Sequence, residues 1–365
     1  MKTTLKRPFS CILALAMMIA LLTACGSSDT SSGSASGTTS GTASGASSAA
    51  SSSGTSAASA SGEAIVIKFA DVVADDHPYN MGANKFKELL ETSAANAGYN
   101  VSVDIYANSA LGGERELAES LQLGTCDIAI IPGVINSFYA PMGVFDLPYL
   151  FESTEQAYEI LDGEIGTEVA SGMPEECGFR LLAYWENGYR NMTNSKRAIS
   201  SPDDVKGLTM RVPENSVYVA FFEACGANVI TMSFSELYTA LQQKTVDGQE
   251  NPIALIATNK LYETQKYLSR TEHFYGAAQV CISETLWQSL PADLQGLVQD
   301  AANEARDYER QCCADMVSTY LKEIEDYGTA VNDVDKSLFQ DAANQVYEKF
   351  ADQYGDLVAR IKEAK

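Results

Sequence analysis

The sequence predicts an α/β fold of two lobes bridged by one long helix. Three observations carry that expectation: two strand–helix units before residue 131, a second strand–helix set after residue 179, and a helical period from Pro291 to about Tyr327. In the first set, Ala64 to Val72 is apolar and β-branched and reads as an opening strand. Asp75-Asp-His-Pro78 then sets polar residues before a proline at the first helical position, where its missing N–H is no loss. That helix is expected to reach about Asn96, with Phe86, Leu89 and Leu90 on one face. Val101 to Tyr106 alternates and reads as a strand; Gly112-Gly113 then break the chain. Glu114 to Leu123 reads as a helix and Asp127 to Ile131 as a short apolar strand. Successive βαβ-like units predict a mostly parallel sheet.

Strand character returns at Phe179 to Trp185 and again at Leu208 to Val212, followed by a helix over Val217 to Ala224. Ser233-Phe-Ser-Glu236 has the S-x-x-E form of a capping box and should open a helix through Gln243. From Pro291, apolar or small residues recur at helical spacing: Leu294, Val298, Ala301, Ala305, Tyr308, Cys312, Met316, Tyr320 and Ile324. Unbroken, such a helix is roughly 55 Å long at 1.5 Å per residue. One small domain is narrower than that, so the helix should cross both lobes. The ligand site is then expected between the lobes, at strand and helix ends.

The first sixty residues stand apart from this pattern. Lys2, Lys6 and Arg7 precede a twelve-residue apolar run from Cys11 to Leu22. A spanning helix needs about 20 residues, so the run fits a signal peptide over residues 1–24 instead. Leu22-Thr-Ala-Cys25 reads as a lipobox, with Cys25 lipidated as the mature N-terminus. From Gly26 to Gly62 every residue except Asp29 is Ser, Gly, Ala or Thr. Nothing there offsets the entropy of ordering, so residues 25–62 read as a lipidated tether, with an r.m.s. span of roughly 35 Å. Expected lobe 1 is 64–187 plus about 276–315, and lobe 2 is 188–275 plus about 316–365.

Composition narrows the partners. The formal charge is −23, and removing residues 1–24, which carry three positive charges and no negative one, takes it to −26. So acidic a body is a poor partner for nucleic acid or anionic lipid. Six cysteines remain in the body, with no CxxC spacing, and are expected mostly as small buried hydrophobes. Only His77 and His273 are present, which argues against a zinc site of several imidazoles, and no cofactor motif is evident. An exported hydrolase using Glu186, Asp247 or Glu250 is the enzymatic alternative, but no GxSxG elbow, HExxH helix or Walker loop supports one.

Seven segments in order narrow the choice: Leu111-Gly-Gly-Glu-Arg115, Phe145-Asp-Leu-Pro-Tyr-Leu-Phe151, Trp185-Glu-Asn-Gly-Tyr-Arg190, Gly207-Leu-Thr-Met-Arg-Val212, Glu236-Leu-Tyr-Thr-Ala-Leu-Gln242, Val246-Asp-Gly-Gln-Glu-Asn-Pro252 and Glu263-Thr-Gln-Lys-Tyr-Leu268. Together they resemble the extracytoplasmic solute-binding proteins of tripartite ATP-independent (TRAP) transporters, the DctP type. The resemblance implies a periplasmic-binding-protein-like clamshell that binds a small organic acid and delivers it to ion-gradient-driven permease subunits. It assigns Arg211 to a bidentate grip on the ligand carboxylate, Arg190 in an NGxR turn to a second donor, and Asn251 in a QENP turn to a hydrogen bond. A guanidinium fork matches a carboxylate, which supports the assignment on chemical grounds.

Trp185 and Phe234 are candidate pocket walls, Glu186 a candidate acceptor for ligand hydroxyls or an ion-pair partner, and His77 a pocket donor or a helix cap. The stretch from Leu182 to Ser195 resembles the sugar-acid branch of the family. Pro132 stands where sialic-acid receptors carry an acid, which disfavours that ligand. A C4-dicarboxylate receptor and a receptor for an ATP-driven importer are the alternatives.

Overall fold

Two long strands at the middle of the sheet, rather than its edges, decide the architecture. The computed structural model describes residues 64–364. The expected signal segment 1–24, Cys25 and the tether through Gly62 lie outside the described residues. The first half follows the sequence closely: β1 (Ile65–Ala70), α1 (Pro78–Asn96), β2 (Val101–Tyr106), α2 (Glu114–Leu123) and β3 (Ile128–Ile130). β1 pairs in parallel with β2 and β3, and Ile67 and Phe69 send fully buried side chains into the core. Phe86, Leu90 and Ala94, four residues apart, give α1 its buried face.

Three short helices, α3 (Thr154–Leu161), α4 (Glu164–Ala170) and α5 (Met173–Cys177), lead into β4 (Phe179–Asn194). The second half then runs α6 (Pro202–Val205), β5 (Thr209–Val212), α7 (Ser216–Ala224), β6 (Asn228–Thr231) and α8 (Phe234–Gln242). It continues with β7 (Gly248–Pro252), α9 (Ile253–Thr258) and β8 (Tyr267–Ser283). β4 and β8 pair antiparallel from Phe179↔Ser283 to Asn194↔Tyr267 and form the spine. Spatial order is β2-β1-β3-β8-β4-β7-β5-β6, with β9 (Ala330–Asp333) added to β8. The two parallel groups therefore sit on opposite sides of the spine, one per lobe.

Two local expectations need correction. The Asn-Gly of the NGxR segment and the Gln-Glu-Asn-Pro segment read as turns, yet both lie in strands, β4 and β7. Gly188, at φ +95°, sits at a register shift between Glu186 and Gly188, so the glycine makes a bulge inside β4. The capping box at Ser233 is not formed: Ser233 stands at the N-cap of α8, but its Oγ pairs with Ser235 Oγ at 3.0 Å.

α10 (Glu284–Ser289) precedes α11 (Ala292–Tyr327), whose 36 residues span about 54 Å. Its Leu294, Val298 and Ala302 enter the large core beneath α1 and β4, while Tyr320 and Ile324 enter a second core with Leu237, Ile256 and Leu268. The helix thus belongs to both lobes. Two helices with no sequence expectation follow, α12 (Gln340–Lys349) against α7 and α13 (Ala351–Glu363), whose Tyr354 hydroxyl donates to the Ala140 carbonyl at 2.8 Å. Cys126, Cys177, Cys225 and Cys281 are buried free thiols. No helix among the described residues is long and apolar enough to cross a membrane.

Candidate functional site

Arg211, on β5, is 1% exposed. Its Nε and Nη2 both donate to the Met232 carbonyl, at 3.0 and 2.6 Å. Among the described residues no carboxylate forms an ion pair with it. Burial pulls its pKa down to about 10, and the charges of Glu114 and Glu250 oppose that fall. It stays cationic at neutral pH, in a place where a lone charge is costly unless an anion joins it. Two helix N-termini meet beside it. α2 begins after Gly113 and α8 after Ser233, and neither has a side-chain capping bond. Their caps touch across the lobes: a Cβ on Gly113 would stand 2.6 Å from Ser233 Oγ. Free backbone N–H groups and dipoles at such ends favour anions.

Arg190 is held differently. Its Nη2 donates to Glu250 Oε1 at 2.8 Å and to Asn251 Oδ1 at 2.9 Å, while Nε donates to Glu250 Oε2. Both side chains of this pair are buried, and His273 Nε2 lies 3.5 Å from Glu250 Oε2. Burial alone would raise the Glu250 carboxyl, but Arg190 and His273 bring it below its ordinary value. Nη1 is the Arg190 nitrogen without a protein partner among the described residues. The Tyr218 ring lies 5.3 Å from the guanidinium, and Tyr218 in turn donates to Asp146 Oδ1 at 3.3 Å. That acid, from the Phe145–Phe151 segment, also accepts from Asn215 Nδ2 at 2.7 Å and so steadies the cap of α7.

Arg190, Arg211, Asn251 and Phe234 line one cavity, together with Tyr79, Glu114 and the apolar Val73, Pro213 and Leu255. The free space inside it is about 20 Å³, room for a single water. Glu114 opens α2 on the cavity wall. Burial pushes its carboxyl up to about 7, against the pull of Arg211 and Arg190.

Three predicted residues do not join this set. Trp185 is fully buried in the core against Phe69, and a Cβ at Gly82 would stand 2.6 Å from its ring, so the glycine is what lets α1 approach. His77 is the N-cap of α1: its Nδ1 accepts from Tyr79 N at 3.1 Å, and burial pushes its pKa down to about 3, leaving it neutral. Glu186 faces a different cavity, behind β4, because the Gly188 bulge separates its direction from that of Arg190. Conversely, the structure brings in Glu114 and Tyr79, which the sequence does not single out, and Glu250, which it offers only as an acid of the enzymatic alternative. The available signal was Glu114 directly after Gly-Gly at a helix start, and Glu250 two residues from a strand-ending proline.

The sequence and the fold match known proteins. The family model for bacterial extracellular solute-binding proteins, family 7 (DctP), matches residues 69–353. The 2,3-diketo-L-gulonate-binding periplasmic protein of Escherichia coli is 31% identical over 305 residues, 82% of this chain and 92% of that protein. The C4-dicarboxylate-binding periplasmic protein of Rhodobacter capsulatus is 34% identical over 315 residues, 84% and 92% of the two. Among solved structures, the sugar acid binding protein of Advenella mimigardefordensis in complex with galactonate is 32% identical, with a TM-score of 0.78 over 82% of this chain and 99% of that one. The chain belongs to family 7 of the bacterial extracellular solute-binding proteins, and is an extracytoplasmic substrate-binding receptor of the TRAP type rather than an enzyme.

Proposed function

We propose that the cavity beside Arg211 binds the carboxylate of a sugar acid and that the closed receptor hands it to the TRAP permease subunits. The observation that carries this reading is the buried Arg211 guanidinium with no carboxylate partner among the described residues. Arg190 is already neutralised by Glu250. That leaves Arg211 as the cation open to a ligand carboxylate, and Glu114, whose carboxyl is raised to about 7 in the same cavity, takes up a proton as the ligand's charge arrives. A hydroxyl-bearing monocarboxylate fits that balance better than a dicarboxylate. The space beside Arg211 is smaller than any sugar acid, so the lobes must part to admit one. We place the hinge where Gly188 of β4 faces Gly276 of β8. Two glycines and a bulge at that point support bending of the spine there and a lobe boundary near residues 187 and 276.

A thermal-shift panel of uronates, aldonates, keto-acids, C4-dicarboxylates, sialic acid and neutral sugars tests the ligand class. A ligand at 100 times its Kd adds about 2.7 kcal/mol, a shift of about 4 °C for a body of roughly 300 residues. Shifts confined to sugar acids support the reading; shifts confined to dicarboxylates replace it with the alternative ligand. Titrated calorimetrically, the best acid should bind more tightly at pH 6 than at pH 8. Its carboxylate favours a protonated Glu114, so affinity falls as pH rises through about 7. A Glu114→Gln variant should flatten that dependence; an unchanged profile would remove Glu114 from the site.

We also propose that Cys25 is lipidated and that residues 26–62 tether the receptor to the membrane. Cys25→Ser should move the protein from the membrane fraction to the soluble fraction; retention on the membrane overturns the anchor.

A further inference from the structure

Behind β4, between the Gly188 bulge and α11, lies a second cavity of about 400 Å³. That is ample for a small organic molecule. Pro252 and Ile253 give it an apolar wall on one side, and Val317 and Leu321 of α11 give it another. Glu186 lines its floor at 7% exposure. Its Oε2 accepts from the hydroxyls of Tyr158 and Tyr275, the latter at 3.2 Å, while Oε1 has no donor among the described residues. Asn187, next in sequence, lines this cavity and the Arg211 cavity alike, and its buried Oδ1 has no partner among the described residues.

The charges around the cavity are otherwise spoken for. Arg310, the nearest cation to influence Glu186, gives both terminal nitrogens to Asp162 at 2.6 and 3.1 Å. At the mouth, Arg270 pairs with Asp333 at 2.9 Å and with Glu272 at 3.2 Å, and Lys336 also pairs with Glu272. Glu309 donates no second negative charge: its carboxylate oxygen accepts from Glu186 N at 2.9 Å, and burial pushes its pKa up to about 8. Glu186 is thus a buried carboxyl with no basic ion-pair partner among the described residues. A buried acid facing an apolar cavity mirrors Arg211, with the sign reversed.

We propose that this rear cavity is a second binding site, for a small organic cation with a protonated amine at Glu186 and an apolar body against Ile253, Val317 and Leu321. The ammonium supplies what Glu186 Oε1 lacks, an N–H donor, and restores the charge balance that burial makes expensive. The apolar body covers a surface that the sheet and α11 leave in contact with water.

n-Hexylamine serves as probe, with n-hexanol and hexanoate as matched controls, titrated calorimetrically at about 0.15 M salt so that general attraction to the acidic surface is screened. Hexylamine should bind one to one, and both controls at least about tenfold more weakly. Glu186→Gln should abolish the preference. Val317→Trp, at a position 45% exposed and so tolerant of bulk, should block the cavity while the melting temperature holds. Arg211→Ala should leave amine binding unchanged, which separates this site from the acid-binding one. Equal binding of all three probes, no amine binding, or amine binding that survives Val317→Trp overturns the proposal.

Discussion

Glu250→Ala should destabilise the protein by about 3–5 kcal/mol, the range for removing one partner of a buried ion pair. The loss arises from what is left behind. Arg190 is 3% exposed and would keep its charge with Asn251, a backbone carbonyl and the Tyr218 ring beside it but no paired carboxylate. The effect should appear as a lowered urea midpoint with an unchanged m value. The double variant Arg190→Met, Glu250→Leu should recover much of the loss, because it removes both charges and leaves an apolar pair in their place. The sign with pH follows from the same pair. The folded pKa of Glu250 lies below its ordinary 4.5, so its stabilisation is present above 4.5 and is lost as pH falls through the folded value. The wild type should therefore show an acid-unfolding limb that is shallower in Glu250→Ala. A midpoint change worth less than about 1 kcal/mol would mean the pair is solvated, as exposed pairs are.

The fold was legible where one face of an element is wet. Val101 to Tyr106 alternates because β2 buries Val101 and Val103 on one face and leaves Ser102 and Asp104 less covered on the other, and α1 shows its period because its outer face meets solvent. The spine was legible only in part. β8 carries a long stretch buried on both faces, from Phe274 to Ser283, so it has no alternation to read. β7 has the composition of a turn, Gly-Gln-Glu-Asn-Pro, yet it is wholly buried. Its polar side chains are satisfied by other strands, through Arg190 and Thr193, and such pairing is tertiary information. The same limit applies to the site. Arg211 was found through its motif, but the motif could not reveal that Arg190 would already be paired. Glu186, between Trp185 and the NGxR segment, reads from sequence as an acceptor for ligand hydroxyls or an ion-pair partner of the arginines; the Gly188 bulge sends it to the other side of the sheet from Arg190.

Arg211→Ala should abolish acid binding while leaving the fold intact, and the two halves of that statement rest on separate observations. Truncating one partner of a buried charge pair costs about 2–5 kcal/mol of binding, so affinity for the best acid should fall by at least about 30-fold. Stability should hold or rise, because Arg211 has no carboxylate partner among the described residues and its burial is a cost the variant removes. That combination distinguishes Arg211 from Arg190, whose loss leaves Glu250 buried and lowers stability along with affinity. Arg211→Lys sharpens the test further. A lysine restores the charge but not the planar fork, so it should regain only part of the affinity if the grip is bidentate. Full recovery would show that charge alone suffices. Wild-type affinity in Arg211→Ala would mean that the helix N-termini of α2 and α8 hold the acid without the guanidinium, and the buried cation would then be without a purpose in binding.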